Sequence, residues 1–570
     1  MSVHIYKGDA KKCVMGRKSL YTYTDTYDEL FVEKIKLLPV RYFHPESKEW
    51  ELPLTSLPVL LKNFPGVQIE GDLSEADKLR FKTLDEYKAY LSTLTPKVSF
   101  DFKTKPDPHQ IEWFNQMIDK DRVILGDPMG LGKTKEALDA CEYRLQYMGY
   151  MKILFICKAK HKDNMAKEIQ THTNSKYIVV DGDRKHRLQA LRDYYMDMSI
   201  PYLIIGYESA MDHAEELKTI ARDIRFDAVI MDEFNKIKNW VGGQKKGSKR
   251  GHITIEIVNL IEFINPRLII LASGTPLTKR PTDLYAPLRL TGVETHDFNW
   301  FKNRYCLLDD FGTIKGSKNE QELSDKLWSV MIRRPKELLG LQAPRITYMP
   351  VKMTPAQAKL YNAVRLQIKE ELKGTKAYGA NELALLTRLR QVTTNPRLID
   401  SEVEGIKELV ADEYLADVIE SGEKAVIYSI YKEETKLLQE RFRNLNPAYI
   451  DGTLNSKRAQ AEVDRLQTDP ECKLLIGSLH AVKESYTMTA ANHAIFLDQS
   501  WTVTDNDQAR DRIHRRGQTK PTHILIPYCI GTIDERVLDI LAKDAGLIAE
   551  VTDQGIRQSI DSAVVDFLLS

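Results

Sequence analysis

The chain has 570 residues, 42% of them hydrophobic and 29% charged, with a formal net charge of +1. That length predicts about two to four domains, and the balanced charge excludes a global pull toward nucleic acid or membrane, so any basic contact surface must be local. The six cysteines are scattered without a C-x-x-C pair, no apolar run nears the roughly 20 residues of a membrane span, and the first residues lack a signal peptide's apolar core; a soluble cytoplasmic protein without membrane contact is expected.

In chain order, VRYFHPESKEWELPLTSLPVLLKNFPGVQI (40–69) reads as strand, polar turn, strand, helix and strand. It lies within an amino-terminal stretch, 1–95, of the size of a small α+β module. Arg41, Tyr42, Lys48 and Trp50 form an aromatic and basic set suited to stacking on bases and holding phosphates, and equally to packing as a cap or docking a protein. VIL (123–125) is a short buried strand, GDPMGLG a turn, and KTKEALDACEYRL a helix. Backbone N–H groups in such a turn and at the helix start cradle phosphate. Lys133 is then placed to reach the β- and γ-phosphates, and Thr134 to hold Mg²⁺. One feature departs from the generic G-x-x-x-x-G-K-[ST] pattern, since Asp127 fills the position of its first glycine.

FDAVIMDEFNKIKN (226–239) is an apolar strand ending in two acids. Asp232 suits Mg²⁺ coordination, and Glu233 suits orienting and deprotonating an attacking water. GGQKKGSKRG (242–251) is a basic loop open to phosphate contacts or to solvent alone. RLIILASGTP (267–276) is another buried strand running into a turn, and TPAQAKLYNAVRLQIKEELK and NELALLTRLRQV have the pattern of amphipathic helices. In QARDRIHRRGQ (508–518) the three-residue spacing of Arg512 and Arg515 puts both on one helical face, as arginine fingers or as a solvated basic face.

These segments, in this order, resemble the Swi/Snf-type ATPases of helicase superfamily two over about residues 106–541. The phosphate loop of that family reads D-E-M-G-L-G-K-T, so Asp127 is a family signature. The resemblance implies an ATP site made by Asp127, Met129, Gly130, Leu131, Gly132, Lys133 and Thr134, with Gln110 reading adenine. It implies hydrolysis by Lys133, Asp232, Glu233, Arg512 and Arg515, and sequence-independent DNA contacts at Lys158, Lys279, Arg458 and Ser478. The expected architecture is α/β: two RecA-like lobes with parallel sheets at 96–290 and 421–545, helical protrusions and a linker at 291–420, and a helical tail at 546–570. ATP and Mg²⁺ would act in the cleft between the lobes. Residues 40–69 resemble the recognition repeat of HARP-type annealing helicases.

Two departures stand out. DEFN replaces the family's D-E-A-H or D-E-G-H, and GSLHAVKESYTMTAAN (477–492) replaces a glycine-rich loop. The expected activity is a DNA-dependent ATPase and monomeric duplex translocase that remodels forked or branched DNA, of annealing or branch-migration type. The alternative is a motor that displaces a DNA-bound complex such as RNA polymerase, with a protein partner docked on the amino-terminal module. Compact size favours a bacterial or viral source.

Overall fold

A computed structural model describes residues 3–7, 19–24, 31–32, 35, 42–44, 47–53, 68–70, 84–240, 249–276, 280–373, 380–399, 402–482 and 486–552. These fall into two compact units that divide mainly at Leu338 and Leu339, with Met129–Leu131 grouped with the second and 547–552 with the first.

Near the amino end, β1 (Val3–Lys7), β2 (Ser19–Thr24), β3 (Tyr42–His44), β4 (Glu49–Pro53) and β5 (Gln68–Glu70) form a mixed sheet in the order β3-β4-β2-β1-β5. Strand, turn, strand and final strand of the 40–69 reading are found, with Lys48 at φ +59 in the turn. The expected helix, and Arg41, lie outside the described residues. Trp50 is half-buried and pairs with Phe43 on one side and Thr22 on the other.

The first large sheet is built from β6 (Arg122–Leu125), β7 (Ile153–Cys157), β8 (Tyr177–Val179), β9 (Tyr202–Gly206), β10 (Ala228–Asp232) and β11 (Leu268–Ala272). Every pairing is parallel, in the order β6-β11-β10-β7-β9-β8. Continuous apolar strands are what a sheet covered on both faces requires. Alternation assigns Ile124, Leu154, Ile156, Val229 and Met231 to one core, and Val123, Leu125, Phe155, Ile230 and Ile270 to the other. The carboxyl ends of β6, β11 and β10 are neighbours, so the three loops that carry the motifs emerge side by side.

Packing and strand pairing cross the expected boundaries at 95 and 290. Helix α1 (Leu84–Thr93) packs on α2 (Pro108–Met117): Leu91 is buried, the Tyr87 hydroxyl donates to Glu112 Oε2 at 2.6 Å, and Asn115 bonds both Lys97 N and Thr95 O. The chain beyond Leu290 forms a helix (Phe298–Tyr305), the antiparallel pair β12 (Cys306–Leu308) and β13 (Ile314–Ser317), and a second helix (Glu320–Val330). It then returns to add β14 (Met331–Ile332) beside β6. Residues 291–420 are therefore not all protrusion. The middle of the stretch supplies an edge to each sheet, because β15 (Arg345–Val351) pairs in parallel with a strand of the second sheet.

That second sheet comprises β15, β16 (Ala425–Ser429), β17 (Ala448–Ile450), β18 (Leu474–Ser478), β19 (His493–Phe496) and β20 (His523–Cys529), all parallel, in the order β15-β20-β19-β16-β18-β17. It too has a core on each face, one around Val426, Tyr428 and Phe496 and the other around Ile427, Ile476 and Ile495. The helices Pro355–Lys373 and Ala380–Thr394 pack on each other through Tyr361, Val364, Leu389 and Val392. A long helix, Ile533–Thr552, carries the described chain past 546 without a break.

Candidate nucleotide site and helicase family

The turn after β6 is shaped by two glycines in the left-handed region, Gly130 at φ +95 and Gly132 at φ +84. A side chain there would be strained, and on Gly132 a Cβ would also collide with Gln110 Nε2. Helix α3 (Lys133–Tyr147) begins at once, with no side chain capping its first turn. An uncapped helix start beyond a glycine turn offers its N–H groups to an anion. Thr134 is the helix's second residue and half-buried, while Met129 is half-buried and Leu131 buried in the turn itself.

Lys133 Nζ donates to the loop's own carbonyls, Asp127 O at 2.7 Å and Pro128 O at 3.1 Å. Burial pulls this ammonium below the usual lysine range, against the opposing pull of Glu233, Asp127, Asp232 and Glu136. Both acids of the β10 end thus bear electrostatically on Lys133. Gln110 is buried, with Oε1 accepting from Asp107 N at 3.0 Å and its Nε2 against the turn. An amide beside a phosphate-sized turn, a helix start and a lysine together fit a nucleoside triphosphate.

Glu233 follows β10 in the left-handed conformation, φ +52 and ψ 52, which is uncommon for a residue with a Cβ. Its Oε2 accepts from Asn235 Nδ2 at 3.2 Å and lies 3.4 Å from Ser273 Oγ, and Asn235 Nδ2 also reaches Thr275 Oγ1 at 3.3 Å. The asparagine of DEFN thus joins the acidic end of β10 to the SGTP turn, and Phe234 is buried in the core. Asp232 Oδ2 stands 3.6 Å from His161 Nδ1, and Tyr207 donates to the Asp232 carbonyl at 2.9 Å. Neither His161 nor Tyr207 is singled out by sequence reasoning; each is placed by the sheet order, at the end of β7 or β9.

Asp127 is not placed as a nucleotide contact. It is fully buried, and both its carboxylate oxygens accept hydrogen bonds from Arg334. The signal for Arg334 in the sequence is slight: two adjacent arginines in MIRR.

The second unit holds Arg512 and Arg515, but not on one helical face. The helix Val503–Arg510 stops before both, and tight turns run to Gly517 at φ +99. The turns still bring the two guanidinium groups together, each Nη1 donating to the Tyr486 carbonyl at 3.3 Å. Arg512 is buried and also donates from Nε to Gln508 O at 3.1 Å. In the altered loop, Leu479–Val482 forms a short helix, and Val482 packs so closely on Gly477 that a Cβ there would collide with it. Lys483, Glu484 and Ser485 lie outside the described residues.

Of the expected DNA contacts, Lys158 is half-buried just beyond β7 and Arg458 is exposed in the first turn of the helix Ser456–Thr468. Ser478 is buried at the end of β18. Lys279 and most of the basic loop 242–251 lie outside the described residues. No helix among the described residues is long and apolar enough to cross a membrane.

Residues 108–398, just over half of the chain, match the SNF2-related domain family, and 408–517 match the helicase conserved C-terminal domain. The chain belongs to the SNF2-related family. It is thus a helicase-type ATPase, as the ordered motifs imply. It is 24% identical over 553 residues to the Drosophila melanogaster SWI/SNF-related matrix-associated actin-dependent regulator of chromatin subfamily A-like protein 1, spanning 93% of this chain and 67% of that one. It is 25% identical to the Bos taurus DNA annealing helicase and endonuclease ZRANB3, over 74% of this chain but only 38% of that protein. Among solved structures it is similar to the Sulfolobus solfataricus SWI2/SNF2 ATPase core in complex with dsDNA, at 21% identity and a TM-score of 0.38, covering 83% of this chain and 99% of that one.

Proposed function

We propose that this SNF2-related chain is a DNA-dependent ATPase that moves along duplex DNA and remodels forked or branched junctions. The observation that carries the ATPase part is the cluster at the ends of β6, β10 and β11: a left-handed glycine turn, an uncapped helix start, Lys133, and Glu233 tied to the SGTP turn. Gln110 reads the base, and the turn with Lys133 holds the phosphates. Thr134 and Asp232 are the residues that would hold Mg²⁺, which when bound supplies charge neutralisation on the phosphate oxygens. Glu233 orients the attacking water and takes its proton. Arg512 and Arg515 serve the charge that develops in the transition state. Lys158 and Arg458 contact the DNA backbone without reading its sequence.

Fork remodelling is supported by the amino-terminal sheet, whose Trp50 and Lys48 lie on a strand and its turn, and by the similarity to the DNA annealing helicase and endonuclease ZRANB3. The test is regression of a synthetic fork, followed by gel, with ATP and with a non-hydrolysable analogue. ATP-dependent regression is expected. Robust ATP hydrolysis on linear duplex without any fork regression would contradict the junction reading and favour a motor that displaces DNA-bound protein.

A further inference from the structure

The dipeptide Arg333–Arg334 follows β14 and reaches two motif loops and the first turns of α2 and α3. Arg333 Nη1 donates to the Gly126 carbonyl at 2.7 Å and to the Gly274 carbonyl, in the SGTP turn, at 3.3 Å. Arg334 is 3% exposed, between two fully buried acids, Asp127 and Glu136. Its backbone N–H donates to Asp127 Oδ1 at 2.8 Å and its Nε to Asp127 Oδ2 at 2.8 Å. Nη2 adds bonds to Asp127 Oδ2 and Glu136 Oε1, and Nη1 bonds the carbonyl of His109, the residue before Gln110. The backbone joins in, with Gly126 N donating to the Ile332 carbonyl at 2.8 Å.

A forked guanidinium bound in this way fixes orientation as well as distance. It also cancels an anion that would otherwise sit buried beside bound phosphates. The turn's generic glycine is here an acid, and the acid is saturated by one partner 207 residues away in the chain.

We infer that Arg334 and Asp127 are a pair of positioning residues that fix the phosphate-binding turn and the adjacent base-reading glutamine in their nucleotide-competent arrangement. The inference rests on the reading of 126–134 as the triphosphate site. Neither residue touches nucleotide. Their loss acts through the turn, on ATP affinity, and the two losses are not independent because both residues belong to one buried network: without Arg334 the Asp127 carboxylate loses its cation, and without Asp127 the guanidinium is left to Glu136 alone.

The experiment is a double-mutant cycle in the full chain: Asp127→Asn, Arg334→Gln and both together, with a fluorescent ATP analogue for Kd and steady-state hydrolysis for KM and kcat. Each single variant is expected to raise Kd and KM by about 10- to 100-fold, the range that a displaced binding geometry commands. The double variant should be no weaker than the worse single. Arg334→Lys, which keeps the charge and loses the fork, should fall between wild type and Arg334→Gln, and also serves if either neutral variant fails to fold by circular dichroism. Wild-type Kd in folded single variants, or losses that multiply in the double, would overturn the inference. Lys133→Ala separates the two levels: if it binds the analogue like wild type, the nucleotide-site reading itself fails. If it loses binding while the Arg334 variants do not, only the positioning pair fails.

Discussion

The first unit holds its functional side chains just beyond the ends of neighbouring parallel strands, each fixed by a neighbouring group: Lys133 by loop carbonyls, Glu233 by the Asn235 side chain, Asp127 by the Arg334 side chain. The second unit holds Arg512 and Arg515 in turns beyond a helix end, and they meet through one backbone carbonyl, that of Tyr486. Strand ends set positions through the whole sheet, whereas a turn sets them through local hydrogen bonds. Substitutions in the first unit should therefore abolish chemistry outright or change nucleotide affinity. Those in the second should slow the chemical step and leave binding in place.

The largest effect is expected at Glu233 and Lys133. Glu233→Gln should keep ATP bound and lower kcat by about 10³-fold or more, since the group that takes the water's proton is gone. Lys133→Ala should lose turnover together with affinity, as measured by nucleotide binding beside phosphate release. Near-normal hydrolysis in Glu233→Gln would refute its assignment.

Next comes Arg515→Ala, expected to reduce kcat by about 10³-fold with ATP affinity changed only a few-fold, because arginines of this kind meet charge that grows in the transition state. Arg512→Ala should do the same and also lower thermal stability, since Arg512 is buried. Equal affinity loss and rate loss at Arg515 would erase the contrast drawn above.

A smaller effect separates two truncations. Removal of residues 1–83 leaves α1 on α2 and should preserve hydrolysis on linear duplex within about 2-fold while lowering preference for forks. Removal of 1–95 also takes away Tyr87 and Leu91, leaving the buried Glu112 without its 2.6 Å donor. That deletion should lower the melting temperature of the first unit by several degrees, at roughly 1–3 kcal/mol for a hydrogen bond lost to a buried carboxylate. Calorimetry of both truncations checks this, and equal melting would place α1 outside the first unit's stabilising core.

The last effect is confined to a pH window and concerns stability in the second unit. Burial, then the charge of Glu408, pushes the Glu434 carboxyl up to about 8 from an ordinary 4.5. The folded chain then binds more protons than the unfolded one between those values, so this group's contribution to stability falls as pH rises through that window. Glu434→Gln should leave stability unchanged near pH 4 and raise it at pH 8 and above, by on the order of 5 kcal/mol at most. Urea unfolding at the two pH values measures the difference, and a gain of equal size at both would contradict the raised carboxyl.

Much of this organisation is legible in the sequence. Apolar β-branched runs such as VIL, AVIMD and LIILA declare buried strands, and the loops after them carry residue types that only phosphate chemistry explains together. What escapes is long-range or short-lived in the chain. The β14 strand is two residues long, too short for any period to show, and Arg334 finds Asp127 only because that strand joins the sheet beside β6. Helix α1 reads as part of the amino-terminal module, since its contact with α2 depends on a Tyr87–Glu112 pair 25 residues apart. A three-residue spacing suggests a helical face for Arg512 and Arg515, yet the chain tightens after Arg510, where Arg512 N and Ile513 N bond carbonyls three residues back. Local spacing states which side chains are close in sequence, and tertiary placement decides which of them share a site.

Duplex-stimulated phosphate release tests the central claim most directly. Full-length protein should hydrolyse ATP slowly alone and at least about 10-fold faster with saturating linear duplex, and Glu233→Gln should show no stimulated rate while still binding nucleotide. A rate that ignores duplex, or a stimulated rate that survives Glu233→Gln, would contradict the account.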